Sequence, residues 1–170
     1  MAVEDLHGLL KHELGDLLYA EKVFLKGMKQ MSKQSSNPVI RERILQHADE
    51  TEEQIVNLER AFETIGYKAR AQKCDAALGL DEERKSFKED EDPSPEILEA
   101  FNLGAGLRNE HYEIAGYRTA IAIAKQTGND ECVQLLQQNL DQEIAMATFL
   151  EQNASSALAE LDEMIGEEEE

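Results

Sequence analysis

Glu21, Glu110 and Glu143 each stand where an apolar residue is expected. Glu21 follows Leu17 and Leu18 by one helical turn and precedes Phe24 and Leu25 by another. Glu110 falls between Leu103, Leu107 and Ile114, Tyr117, and Glu143 between Leu136, Leu140 and Ala147, Leu150. Steps of three and four residues place each acid in the middle of a helix's apolar stripe. A further segment offers Glu50, with His47 one turn before it and Gln54 one turn after. On that helix His47 and Thr51 point inward better than Glu50 does. Glu113 lies one turn after Glu110, so the two can supply ligands to one site. A carboxylate buried without a partner is costly and tends to neutralise itself. Several in one core need cations among them, and hard cations such as Fe, Mn or Mg accept carboxylate oxygens readily. Any one of these acids alone, in so acidic a chain, reads more simply as a partly exposed edge residue. Acids on or near all four stripes are what point to a metal centre. The candidate ligands are therefore Glu21, Glu50, Glu110, Glu113, Glu143 and His47. His47 is read equally as a ligand, as a support for one, or as a satisfied polar residue.

Depth is a second requirement. At roughly 1.5 Å of rise per residue, Glu21, Glu50, Glu113 and Glu143 lie at nearly the same height from their loops. Glu110 has the better direction and Glu113 the better depth, so both are retained. The elements that must position them are helical throughout. The first stripe runs from Leu6 to Met31, and its helix should end near Gln34. Asn37 is a candidate N-cap, with Pro38 at the first helical position of the next helix. That helix should stop at Gly66, a residue suited to a left-handed C-terminal turn. A long connection follows, and a structureless loop of that length is unusual in a compact domain. A short helix is expected within it, around Ala76 to Phe87. Ser94 and Pro95 open the third long helix, which breaks at Thr127-Gly128-Asn129-Asp130. The fourth carries Val133, Leu136 and Leu140 and fades towards Ala157, with a last turn or short helix through Leu158, Leu161 and Ile165. Two helical hairpins joined by one long crossover make an all-α, ferritin-like four-helix bundle. The domain is expected over residues 1–166, with an acidic disordered tail at 167–170.

Composition narrows the functional classes. The chain of 170 residues has 36 acidic and 17 basic side chains and a formal net charge of −19. That charge repels phosphate backbones and argues against nucleic-acid binding. Cys74 and Cys132 form no CxxC pair, so a rubredoxin-type or zinc-ribbon site lacks ligands. They read as two reduced thiols in a cytoplasmic protein. There is no secretory leader pattern and no apolar run long enough to span a membrane. Tyr112, Tyr117 and the methionines at 28, 31 and 146 are assigned to packing, and His111 to the exposed face.

The segments Leu18-Tyr19-Ala20-Glu21-Lys22, His47-Ala48-Asp49-Glu50-Thr51-Glu52, Glu110-His111-Tyr112-Glu113-Ile114-Ala115-Gly116-Tyr117 and Asp141-Gln142-Glu143 resemble the bacterial ferritin-like YciE/YciF family. The resemblance runs from about Leu6 to about Leu150. It implies a ferritin-like bundle, a dimetal carboxylate centre, a homodimer and a link to stress responses. Glu21, Glu50, Glu110, Glu113 and Glu143 match the family's ligand positions. One turn after Glu143 the family usually carries an acid, and here that position is Met146. A thioether is a poor ligand for hard iron or manganese, so the site is asymmetric, weaker, or filled by one metal in place of two.

Two functions follow. The first is an iron- or manganese-binding protein, with two ions expected and one allowed, acting as an oxidase or a peroxide scavenger. The second is a structural or interaction bundle with a vestigial site. Replacing Glu21 separates them, read by metal content and thermal unfolding of the Glu21→Ala protein. A working site predicts lost metal binding, and a vestigial one predicts unchanged or raised stability.

Overall fold

A computed structural model describes residues 3–168. Those residues form five α-helices and no strand: α1 (Leu6–Gln34), α2 (Pro38–Thr64), α3 (Asp75–Glu91), α4 (Pro95–Gln126) and α5 (Asp130–Glu168). Among them, no helix is long and apolar enough to cross a membrane. The expected tail at 167–170 lies outside the described residues, except that the α5 backbone continues through Glu168.

The helix starts follow local chemistry. Asp5 caps α1 by accepting from the Gly8 amide at 2.7 Å. Asn37 caps α2 by accepting from Val39 N and Ile40 N, and Ser94 caps α4 by accepting from Ile97 N. Pro38 and Pro95 occupy first-turn positions, where a missing amide hydrogen costs nothing. After α2, Gly66 turns the chain with φ of +76°, a conformation that favours glycine.

α1 and α2 form one hairpin and α4 and α5 another. Across the hairpins α1 packs on α4 and α2 on α5, while α3 lies against α1 and α4. Two apolar clusters fill the space between the long helices. One gathers Leu10, Leu14, Leu18, Leu58, Phe62 and Leu136. The other gathers Met28, Met31, Ile40, Leu103, Met146 and Leu150. Each fully buried Leu or Met contributes roughly 1.5–3 kcal/mol. On α1, α4 and α5 the acids of the inward stripes fall, in chain order, between these two clusters.

Two elements are longer than the sequence pattern indicates. α3 extends to Glu91, and α5 is a single helix where a fade at Ala157 and a separate last turn were expected. The region beyond Leu150 contains no Pro, and its Ala, Leu, Glu and Met residues favour helix. Ala157 and Leu161 are buried on that extension, which secures it.

The crossover is held at several points. Gln72 N donates to Gly15 O at 2.8 Å, and a Cβ at Gly15 would come within 3.1 Å of Arg70 O, so the close approach favours glycine. Cys74 caps α3, and its Sγ lies 2.9 Å from the Tyr112 hydroxyl, which donates to Asp16 Oδ2 at 2.8 Å. Buried Arg84 donates to Gln30 Oε1 at 2.7 Å, and Phe87 stacks on Phe101. Both cysteines are free and buried.

The first hairpin turn is fastened by Glu99. Its carboxylate accepts from Ser35 Oγ at 2.5 Å, from Ser36 N and Oγ at 2.7 Å each, and from Asn37 N at 3.4 Å. Burial alone would raise the Glu99 carboxyl, but these donors hold it below the ordinary glutamate range. A depressed carboxyl stabilises the fold above the unfolded-state pKa, and that contribution disappears as the pH falls through the folded-state value. Glu99→Ala is therefore expected to cost about 1.5–3 kcal/mol at neutral pH. Urea unfolding at neutral pH and near pH 3 checks this, because the gap between parent and variant should close in acid. An equal gap at both would contradict the role of the charge.

Candidate metal centre

The carboxylates on the inward stripes converge between the two apolar clusters. Glu21 comes from α1, His47 from α2, Glu110 and Glu113 from α4, and Glu143 from α5. All five residues are at least 97% excluded from solvent. Their donor atoms form two triads, His47 with Glu110 and Glu143, and Glu21 with Glu113 and Glu143. Within each triad the candidate ligand atoms lie within 4.8 Å of one another. Glu143 belongs to both.

His47 faces the first triad through Nε2, 3.1 Å from Glu110 Oε2 and 3.5 Å from Glu143 Oε2. Its Nδ1 lies 2.9 Å from Glu50 Oε2. Glu50 itself is not drawn into either triad. It stands outside them with 19% of its side chain exposed, and also accepts from Arg43 Nη1 and Gln46 Nε2 at 3.0 Å each. Burial would raise Glu50, but the His47 hydrogen bond and the Arg43 charge hold it low. Such an arrangement fixes the imidazole's orientation and directs Nε2 inward.

A polar scaffold supports the second triad. Gln54 Nε2 donates to Glu143 Oε1 at 2.5 Å, and the Tyr117 hydroxyl donates to Glu21 Oε1. Asn139 Nδ2 donates to the Tyr117 oxygen at 3.0 Å and to Gln54 O at 3.1 Å, and Asn57 Nδ2 donates to Asn139 Oδ1 at 2.8 Å. The sequence reading placed Tyr117 in packing and passed over Asn57 and Asn139. The signal was present: Asn139 precedes Glu143 by one turn on the same inward stripe, as Asn57 follows Gln54. Exposed His111 pairs with Glu151 away from the centre.

The electrostatics are those of too many acids in too little water. Burial pushes Glu21 and Glu113 well above the ordinary range, and neighbouring carboxylates add to the rise. Burial likewise raises Glu110 to about 8, with the charge of Glu143 adding and His47 opposing. Burial would depress His47, but the charge of Glu110 and hydrogen bonds to Glu110, Glu143 and Glu50 outweigh it and raise the imidazole. Glu143 is held low against its own burial, chiefly by His47. Glu113 Oε1 is buried with no hydrogen-bond donor, and Glu110 Oε2 and Glu143 Oε2 have only His47 Nε2 to share between them, at 3.1 and 3.5 Å. Orphaned buried oxygens of this kind are rare in folded proteins. Mostly carboxylate oxygen with one imidazole, the donor set matches what hard or borderline divalent ions accept.

Residues 5–161 match the family model described as "Domain of unknown function (DUF892)". Protein YciF of Escherichia coli strain K12 is 30% identical over 146 residues, covering 85% of this chain and 87% of its own. The solved structure of the E. coli stress protein YciF superposes with a TM-score of 0.83 at 28% identity, covering 92% of this chain and 98% of that one. YcfI of Rhodopseudomonas palustris, provisionally described as a structural protein, gives a TM-score of 0.83 at 34% identity, covering 88% and 94%.

Protonation of the centre sets the stability of the metal-free protein. Glu21, Glu110, Glu113 and His47 all bind protons more tightly folded than unfolded. Each therefore stabilises the fold at low pH, and that stability is lost as the pH rises from the unfolded-state value to the folded one. For Glu110 the window closes at about 8. Glu50, Glu99 and Glu143 act oppositely and fail below the glutamate range. Metal-free protein is thus expected to be most stable at about pH 5 and weaker at about pH 8. Glu110→Gln should flatten that decline. Thermal melts in chelator across this range check it, and stability rising towards pH 8 would contradict it.

Proposed function

The chain belongs to the DUF892 family, and from that premise and the buried donor set we propose a ferritin-like dimetal-carboxylate protein that binds two iron or manganese ions. The observation that carries this reading is Glu143, shared by two buried triads whose carboxylate oxygens outnumber the hydrogen-bond donors that reach them. In this proposal the long helices make a four-helix bundle around the centre. His47, Glu110 and Glu143 would hold one ion, and Glu21, Glu113 and Glu143 the other. Glu50 keeps His47 Nδ1 engaged so that Nε2 is free to ligate. Gln54 and Tyr117 fix the carboxylates of Glu143 and Glu21, which limits the reorganisation that binding demands. Occupation displaces the protons that Glu21, Glu110 and Glu113 carry in the metal-free protein, so affinity rises with pH.

Iron or manganese so held supplies redox chemistry towards dioxygen or peroxide, and we assign the protein an oxidase or peroxide-scavenging role in stress response. The same proposal includes a homodimer acting in the cytoplasm, with the electron donor supplied by another molecule.

One observation favours a second reading, a structural or interaction protein. Met146, one turn beyond Glu143, is buried in an apolar cluster and offers no hard ligand. The provisional structural description of the R. palustris relative agrees with that reading.

Metal counting decides between them. Anaerobic Fe(II) loading, removal of excess and plasma mass spectrometry should give about two ions per chain. Glu143→Gln should abolish retention, because it removes the ligand common to both triads. Glu21→Gln should also lose metal, at the least the ion held with Glu113. A parent protein that retains neither iron nor manganese would sink the dimetal reading and leave the structural one.

A further inference from the structure

We propose that a small apolar chamber beside Glu110 is a binding pocket for dioxygen on its way to the carboxylate centre; this deepens, and rests on, the dimetal reading of that site. The chamber lies between α1, α2, α4 and α5 and is walled by Met28, Met31, Ile40, Leu103, Met146 and Leu150. Its volume is about 20 Å³, enough for one water-sized or diatomic molecule. Glu110 lines it too, so whatever occupies it lies next to a residue of the first triad.

The lining selects the occupant. A cation entering an apolar chamber would shed its hydration with nothing to replace it, at large cost. Glu99 also lines the chamber, but its carboxylate is taken up by Ser35, Ser36 and Asn37 and is not free to escort an ion. A resident water needs two to four polar partners. At this end the buried acceptors offered to a water are Asn102 Oδ1 and Glu110 Oε2, the lower limit of that need, and Glu110 Oε2 already faces His47 Nε2 at 3.1 Å. A neutral, apolar, diatomic molecule meets none of these penalties. Three thioethers make the wall adaptable, since methionine is unbranched and polarizable and repacks readily around a guest. On the outer side Glu99 also lines a hollow of about 210 Å³ with Pro38, Ala157 and Leu161. The first hairpin turn and Glu99 thus stand between that hollow and the chamber, and a gas molecule needs only a small local opening there.

Xenon is a suitable probe, because it enters small apolar cavities and needs no metal. With methyl-¹³C methionine in metal-free protein, xenon pressure should shift the Met28, Met31 and Met146 methyl signals saturably. Gly106→Ala puts a methyl into the lining, 3.4 Å from Leu150 Cδ1, and should weaken that response several-fold. Leu150→Ala enlarges the chamber and should strengthen it. In iron-loaded protein Gly106→Ala should slow Fe(II) oxidation by dioxygen several-fold at equal iron content. Iron retained with no xenon response overturns the oxygen pocket alone. A xenon response with no iron retained overturns the dimetal reading and the pocket's role with it. An ordered water in the chamber, or an oxidation rate indifferent to Gly106→Ala, also overturns the proposal.

Discussion

Four glutamates and a histidine share one dry layer of this protein, and everything near them answers the cost of that arrangement. Coulomb repulsion between carboxylates grows as water is removed, and no helix packing relieves it. Protons or cations must. Among protein groups the partial remedies are Tyr117 on Glu21, Gln54 on Glu143 and His47 between Glu110 and Glu143. They leave Glu113 Oε1 without a donor and a single imidazole nitrogen to serve both Glu110 Oε2 and Glu143 Oε2. The fold has supplied orientation for the acids and stopped short of neutralising them.

Apolar packing flanks this layer on both sides. Leucine and phenylalanine close one side of it and methionine, isoleucine and leucine the other. Long helices are needed to carry two apolar clusters with an acid layer between them. α3 and the crossover then add contacts on the outside of α1 and α4 without entering the layer. Their anchors, Cys74 with Tyr112 and Asp16, and Arg84 with Gln30, are remote from the acids in role: they fix the crossover.

Much of this was legible in the sequence. Helical periodicity with Asn37-Pro38 and Ser94-Pro95 located the long helices, because caps and proline act locally. Acids at stripe positions located the layer, because the period of a helix decides which way a side chain faces. What escaped depends on distance between helices. No spacing within α2 shows that Glu50 turns to Arg43 and grips His47 from behind, although the wheel already favoured His47 for the inward face. The stripe positions of Asn57, Asn139 and Tyr117 were legible, but which of them bond one another is fixed only when α2, α4 and α5 are assembled. The continuity of α5 past Ala157 was missed because its apolar stripe thins there, while burial of Ala157 and Leu161 depends on what lies opposite.

The two triads are not chemically alike, and the difference runs along the molecule. Glu21 and Glu113 give their end two carboxylates besides Glu143, with a tyrosine and two asparagines behind it. His47 and Glu110 give the other end a neutral-capable nitrogen donor and one fewer negative charge, and that end adjoins the methionine-lined chamber. An ion on the all-oxygen side would sit in the stronger negative field, backed by polar groups that cannot leave. An ion on the His47 side would be less compensated and nearer to an apolar space. In the dimetal proposal, binding strength and access would thus fall to opposite ends of the glutamate common to both triads. Met146 is consistent with that division: an acid there would add charge at the end where the chamber's apolar wall requires none.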